Sequence, residues 1–509
     1  MQWLNKIVDE VIARHPKGEI LIESGGSPSG TYHLGHLREL ITADAILLEL
    51  RRRGRKAKHI YYADDLDALR KIPVNIPKEY EKHLGKPLCD IPAPEGKGSY
   101  ADYILQGLID ASAALGMEIE FIRSYKQYRA GFFVQAIEKA LEQADTIRGT
   151  LENISGHQLG DEWSVVQVME DGYLKNRQFV RLNSSDKTLV FKDRDGKEQT
   201  VNYGKGEVKL NWRVDWPARW WLLGVHVEPF GRDHATKGGS YDTGVAIVEQ
   251  VFGAPGPLPV PYDFVNMAGD TKKMSASKGT GLDAQGVVKV LPPEIIRFFM
   301  LAYPPSKRLY FDPQNGVSQV MDEFAELLAK SKKTDEEQQL LDICLHGITE
   351  PTVSNIPFSH LVASYQAALK DSAKTLEIIK RTEHAATVQK QEKTIRAELA
   401  FIDQWLQTWA PEDVKFELTE KVDSAAFSKK QQDFLKELAD KIEKAPKDAD
   451  GEWFHKAIYD FKDKGHLTPQ ELFGTLYTVL IGKDAGPRAG WFLSTLPRDW
   501  LIKRLKLQA

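Results

Sequence analysis

The chain reads as an α/β protein. It has a Rossmann-like domain built on a parallel sheet, an antiparallel insertion within that domain, and an all-α domain after it. Three observations predict this. Short apolar runs alternate with helical periodicity up to about residue 149 and again from 212 to 315, which is the pattern of βαβ units. Between 150 and 211 the pattern changes to β-prone pieces joined by turn signals, and after 316 no strand pattern survives. The expected divisions are therefore 1–149, 150–211, 212–315 and 316–509.

Each element follows from local pattern. The opening "MQWLNKIVDEVIARHPKGE" is amphipathic and charged, and is not a signal peptide. Residues 19–24 read as a short buried strand. Leu34, Leu37, Leu40, Ile41, Leu47 and Leu48 then recur at helical spacing. Gly54 stops that helix, and Arg51 to Arg53 suit its negative end; a nucleic-acid patch is the other reading of those arginines. "KHIYYADDLDAL" is a second strand ending in Asp64, Asp65 and Asp67. A helix near 99–116, a strand over 118–124 and a helix to about 149 complete the first half. In the insertion, Asp195-Gly196 marks a hairpin. The second half holds a helix around Trp216–Leu223, the strand "GVHVEPFG", a helix near 239–252 and the strand "VPYDFVNM". Helical patterns such as "AFSKKQQDFLKELADKIEKA" and "TPQELFGTLYTVLIG" fill the last third.

Composition narrows the class. The 509 residues allow two to four domains, and 42% apolar with 28% charged residues is ordinary for a soluble protein. No apolar run reaches the roughly 20 residues of a membrane span, so no membrane partner is expected. Two cysteines, Cys89 and Cys344, rule out a Cys-rich zinc module and fit a reducing cytoplasm. The insertion contains no cysteine, so no zinc is expected there. A net charge of -4 does not suggest a nucleic-acid binder: an RNA or DNA surface would have to be a local basic patch on an acidic body, and no DNA partner is expected.

The stretch "ESGGSPSGTYHLGHLREL" places a Gly/Ser/Pro turn between the first strand and its helix. In such folds ligands bind beyond the carboxyl ends of the strands, and a helix N-terminus favours phosphate. His33 and His36 share one face of the first helical turn. They suit charge developing on a phosphate; a metal site would need Asp64 or His234 to converge, and two helical histidines alone also occur as core or surface residues. A second loop, "GDTKKMSASKGTG", carries Lys272, Lys273 and Lys278, which can hold a polyphosphate as point charges.

"HLGH" resembles the HIGH signature of class I aminoacyl-tRNA synthetases, and "KMSAS" resembles their KMSKS signature, in the right order around an inserted nucleotide fold. Within that class, "SGGSPSGTYHLGHLRE", "WRVDWPARWWLLGVHVEPFGRDHATKGGSYD" and "KMSASKG" resemble the class I lysyl-tRNA synthetases, over roughly residues 15–310. The helical last third is similar to the family's anticodon-binding domain in length and pattern.

The resemblance implies a two-step reaction. L-lysine and ATP give lysyl-adenylate, and the lysyl group then passes to the 2′-hydroxyl of the terminal adenosine of tRNA(Lys), with Mg²⁺ serving the nucleotide. The carboxylate nucleophile is already ionised at pH 7, so the first step needs positioning and charge stabilisation. By resemblance, His33, His36, Lys273 and Lys278 are the catalytic residues. Ala276 stands where the signature's second lysine is usual, and Lys278 follows two positions later. Pro28, Gly30, Gly35, Gly231, Asp233, Met274, Ser275 and Ser277 would meet ATP, and Gly30, Thr31, Trp212 and His234 would line the lysine pocket.

A buried ammonium needs a carboxylate or an aromatic face. Trp212, Trp216, Trp220 and Trp221 supply the aromatic candidates, and Glu23, Asp64, Asp65 and Asp242 the acidic ones. Ornithine, one methylene shorter, can be rejected by only about 1–3 kcal/mol. The alternatives are a glutamyl-like specificity, a non-catalytic tRNA-binding paralogue, or a nucleotidylyltransferase sharing the first signature.

Overall fold

Five parallel strands organise the N-terminal part of the chain. The computed structural model describes residues 1–269, 282–419, 421–446, 449–461 and 467–508. The chain divides into two units. One comprises 1–288, 296–311 and 335–347; the other comprises 289–295, 312–334 and 348–509.

In the first unit, α1 (Gln2–Arg14) leads into β1 (Ile20–Gly26), α2 (Leu34–Arg52), β2 (Ala57–Ala63), α3 (Tyr100–Ala114) and β3 (Glu120–Arg123). Helix α2 runs to Arg52, and Gly54 follows its C-cap at φ +76°. The arginines there have local partners: Arg52 and Arg53 bond Glu49, Arg53 also bonds Asp9, and Arg51 bonds Glu118. Helix α3 starts at Ser99 with a reciprocal capping box to Asp102.

The helix expected up to 149 is three helices, α4 (Ser124–Arg129), α5 (Val134–Glu142) and α6 (Ala144–Ser155). The antiparallel strands follow as β4 (Val166–Glu170), β5 (Tyr173–Lys175), β6 (Gln178–Asn183), β7 (Thr188–Lys192), β8 (Glu198–Asn202) and β9 (Val208–Leu210). They form two three-stranded sheets, β5-β4-β9 and β6-β7-β8, and Asp195-Gly196 lies in the β7–β8 turn. After them come α7 (Trp212–Leu223), β10 (Val227–Gly231), α8 (Ser240–Ile247), β11 (Leu258–Tyr262), β12 (Val265–Met267) and β13 (Leu309–Phe311).

The central sheet has the order β11-β10-β1-β2-β3, every pair parallel. The chain moves outward from β1 to β3, then returns to the other side of β1 with β10. The topological switch point therefore lies between β1 and β10, where such folds bind ligands.

"VPYDFVNM" is two strands rather than one: β11 belongs to the central sheet, and β12 pairs with β13. The break falls at Asp263, whose carboxylate accepts from its neighbour Phe264 N–H and from Arg232 and Arg308. Arg38 of α2 fixes the same region. Fully buried, it donates to the carbonyls of Asp263, Phe264, Pro304, Pro305 and Lys307. Burial lowers its pKa to about 10, which still leaves it charged at neutral pH.

Helix Asp335–Cys344 belongs to the first unit, although it follows 316 in sequence. Buried Arg297 bonds Asp44, the Leu115 carbonyl and the Ile343 carbonyl, and Gln339 accepts from the N-terminal amine.

Among the described residues the regular elements of the second unit are all helices, including Gly316–Ala329, Phe358–Ala367, Ala385–Thr408, Lys429–Glu443, Gly451–Tyr459 and Pro469–Ile481. Leu435, Leu438, Ile442, Ile458, Leu476, Leu480 and Phe492 form its core. Ser428 and Thr468 begin their helices with capping boxes.

Candidate active site

The turn after β1 delivers His33 as the N-cap of α2. Its Nδ1 accepts from Gly35 N–H at 3.1 Å, and His36 Nδ1 accepts from His33 N–H at 3.0 Å. The two histidines thus build a capping box on themselves. An acceptor Nδ1 carries no proton, so the proton of each neutral ring sits on Nε2. The rings lie 4.0 Å apart, tilted at 41° to each other. Gly35 is needed for this geometry, because a Cβ there would meet His33 Cε1 at 2.9 Å.

A cavity of about 490 Å³ opens at the switch point. His33, Gly35 and His36 line it together with Gly231, Asp233, Trp212 and His234, so seven of the expected site residues converge. Gly231 is constrained, since a side chain would meet Asp233 Oδ1 at 2.8 Å. Pro28 and Gly30 are buried in the turn, and Thr31 Oγ1 accepts from Asn75; none of the three lines the cavity. Lys272, Lys273, Met274, Ser275, Ser277 and Lys278 lie outside the described residues. The chain just after them returns to the first signature: Leu34 N–H donates to the Leu282 carbonyl and Ala284 N–H to the Tyr32 carbonyl, each at 2.9 Å. Val265 of β12, just before them, lines the cavity.

The acidic candidates separate by partner. Asp65 is held by Arg123 and by Tyr125 N–H, and Asp242 accepts from Gly238 N–H. Glu23 bonds Arg219 at 3.0 Å and does not line the cavity. Asp64 does line it; its Oδ2 bonds Lys209 at 3.2 Å, while its buried Oδ1 has no hydrogen-bond partner.

Lys209 is 1% exposed and also lies 3.9 Å from Asp215. Burial works against its charge, but Asp215, Asp64 and Asp67 outweigh that and hold its pKa above the usual lysine value.

Sequence reasoning missed Glu39, Asp67, Arg219, Glu228 and Tyr262, all of which line the cavity. Glu39 accepts from Gly25 N–H and Tyr262 Oη–H, and burial pushes its pKa up to about 7. Glu228 carried a legible signal, a lone acid inside the apolar strand "GVHVEPFG". Its two oxygens accept from the indole N–H groups of Trp216, at 2.8 Å, and Trp220. Burial, then the nearby Glu23, raises its pKa well above the ordinary range.

The helical unit holds a larger cavity, about 1170 Å³, lined by residues including His360, Glu383, His384, Arg488 and Trp491. Ligand atoms of His360, Glu383 and His384 lie within 4.8 Å of one another. The Trp491 indole N–H donates to His360 Nε2, however. Coordination through Nδ1 would then require an anionic ring, so the trio is poorly suited to a metal.

This fold and site are those of a class I aminoacyl-tRNA synthetase. Residues 1–350 match the family model for tRNA synthetases class I (K), and 373–509 match that for an anticodon binding domain. The chain belongs to the class I (K) tRNA synthetase family. It is 36% identical to a lysine--tRNA ligase 1 of Methanosarcina acetivorans, over 99% of this chain and 98% of the relative. It is 35% identical to a lysine--tRNA ligase of Archaeoglobus fulgidus, over 99% of both chains. A lysine--tRNA ligase of Methanosarcina barkeri is 34% identical over 99% of this chain and 97% of the relative. No described helix is long and apolar enough to cross a membrane.

Proposed function

We propose that this chain activates L-lysine with ATP and transfers the lysyl group to tRNA(Lys). The observation that carries this is the make-up of one cavity: paired imidazole donors beside an aromatic and acidic pocket. The Nε2–H groups of His33 and His36 suit the α-phosphoryl oxygens of ATP, which enters as its Mg²⁺ complex. They act by charge stabilisation, since a lysine carboxylate is already ionised. Gly35 and Gly231 leave room for the nucleotide, and Asp233 borders it. Lys273 and Lys278, by resemblance, draw off pyrophosphate. Trp212 and His234, with ring centroids 6.4 Å apart, flank the amino acid. Gly30 and Thr31 shape its turn from outside the cavity, as does Pro28 for the nucleotide, and Met274, Ser275 and Ser277, by resemblance, meet ATP.

A glutamyl specificity would require a cation for the substrate side chain. Arg219 is the buried cation at hand, and it is already bound by Glu23 and Asp215, each at 3.0 Å. ATP–pyrophosphate exchange with tRNA present is the test. Exchange with lysine and none with glutamate is expected; the reverse, or no exchange with either, overturns the reading.

A further inference from the structure

Arg38 stands behind the cavity rather than in it. It lies two residues after His36 on α2, is fully buried and does not line the cavity. Its Nη1 donates to the Asp263 and Phe264 carbonyls, at 2.8 and 3.4 Å. Its Nη2 donates to the Lys307, Pro305 and Pro304 carbonyls, at 2.6, 3.0 and 3.3 Å. One guanidinium thus ties the helix that carries the histidine pair to two separate chain segments. Its buried Nε has no hydrogen-bond partner, and the Asp263 carboxylate turns instead to Arg232 and Arg308. A buried charge held by carbonyls alone is a weak source of stability, and an apolar side chain of similar volume often serves a fold better. What an arginine adds here is its rigid fork, which reaches carbonyls of both segments at once.

Asp263 extends the tie to a further wall. Its N–H donates to the Pro305 carbonyl at 2.8 Å, and its carboxylate accepts from Phe264 N–H, Arg308 and Arg232. Arg232 lies between Gly231 and Asp233, which line the cavity from the end of β10 and the turn after it. Phe264 and Val265 line it from the segment that Arg38 holds, and His36 lines it from α2. Three walls of one cavity are therefore joined from behind through two buried side chains. Such a joint matters to chemistry that depends on placement. A donor such as the His36 ring stabilises developing charge only where the reacting oxygen meets it, and a misplacement of about 1 Å can cost about 10²-fold in rate.

We propose that Arg38, working with Asp263, is a positioning residue of the reaction: it sets where a nucleotide held against β10 and β12 meets the His36 ring. This rests on the proposed function and deepens it. Neither Arg38 nor Asp263 lines the cavity, so both act through the residues that do. Their loss lowers the rate of adenylate formation and leaves the affinities for ATP and lysine in place. A lysine at position 38 keeps the charge, but its compact ammonium has three donors and no fork, and cannot span the same carbonyls.

The test is a double-variant cycle on the full-length chain: Arg38→Lys, His36→Ala and the two together, in lysine-dependent ATP–pyrophosphate exchange with tRNA present. Rates are expressed per folded molecule, with the folded fraction taken from a denaturant titration. Arg38→Lys is expected to lower the maximal rate by about 10–10²-fold. The KM values for ATP and lysine stay within about threefold. In the His36→Ala background the same change is expected to cost at most about twofold, because the group it positions is gone. Asp263→Asn keeps every carbonyl that Arg38 uses and loosens the tie to Arg232 and Arg308. It is expected to lower the rate by about tenfold, again only while the His36 ring is present, and it serves if Arg38→Lys does not fold. An unchanged rate, a raised KM at unchanged maximal rate, or the same fold-loss in both backgrounds overturns the proposal, since a merely structural arginine would act regardless of His36. A wild type inert towards lysine would instead overturn the proposed function, so the two failures are distinct.

Discussion

The reciprocal hydrogen bonds of His33 and His36 make each ring both a helix cap and a presenter of an Nε2–H donor. Removing one ring costs a cap and, on the proposed function, a transition-state contact as well. His36→Ala is expected to lower the lysine-dependent exchange rate by about 10²–10³-fold. The same change should cost only about 1 kcal/mol of stability. Single-turnover adenylate formation beside a denaturant titration separates the two; a stability loss with an unchanged rate would remove His36 from the chemistry. The pairing was legible in the sequence from the three-residue spacing. The tautomer was not, because it depends on backbone N–H groups that only the folded turn aims at Nδ1.

At the scale of elements, β9 carries a buried lysine from the insertion into the sheet's acidic cluster. Lys209→Met leaves Asp64 and Asp215 short of a counter-charge and is expected to destabilise the first unit by about 3–5 kcal/mol. Thermal unfolding reads this directly, and an unshifted midpoint would show that the cluster is compensated elsewhere.

Helix Ala385–Thr408 supplies a pH-dependent case. Glu398 is 1% exposed and accepts from Ser354 N–H, and burial pushes its pKa up to about 8. An unfolded glutamate ionises near about 4.3. Between pH 5 and 8 the unfolded chain therefore gives up a proton that the folded chain keeps, so this group makes stability fall as pH rises. Glu398→Gln should stabilise the helical unit at pH 8, on the order of 1–3 kcal/mol, and change little at pH 4.5. Equal effects at both pH values would contradict the shift.

The element boundaries show what periodicity conveys. The α2 span and its Gly54 stop were readable because apolar spacing and capping are local. The split of "VPYDFVNM" into β11 and β12 was not, because Asp263 turns the chain for the sake of Arg232, Arg308 and Arg38, all distant in sequence. Helix Asp335–Cys344 looks like any other helix of the last third, and only its contacts with Arg297 and the N-terminus assign it to the first unit.

For the whole molecule, the net charge of -4 means that a polyanionic RNA meets no favourable overall field. Binding of tRNA must then rest on local cations that release counter-ions. The KM for tRNA is expected to rise with salt at a log–log slope of roughly 2 or steeper, while the lysine KM changes little. Filter binding or aminoacylation across a salt series measures it; a flat response would exclude a basic RNA surface.

The sequence by itself determined the α/β-then-α architecture, the histidine pair and the family, because these are written in local periodicity and in contiguous motifs. Tertiary structure alone decided which acids carry a counter-charge and which of them line the cavity. Glu23 lies in β1, Asp64 directly after β2 and Glu228 in β10, and their partners Arg219, Lys209 and the two tryptophans reach them only when the sheet is assembled. Pairing of buried charge is a property of three-dimensional neighbours, and sequence separation does not record it.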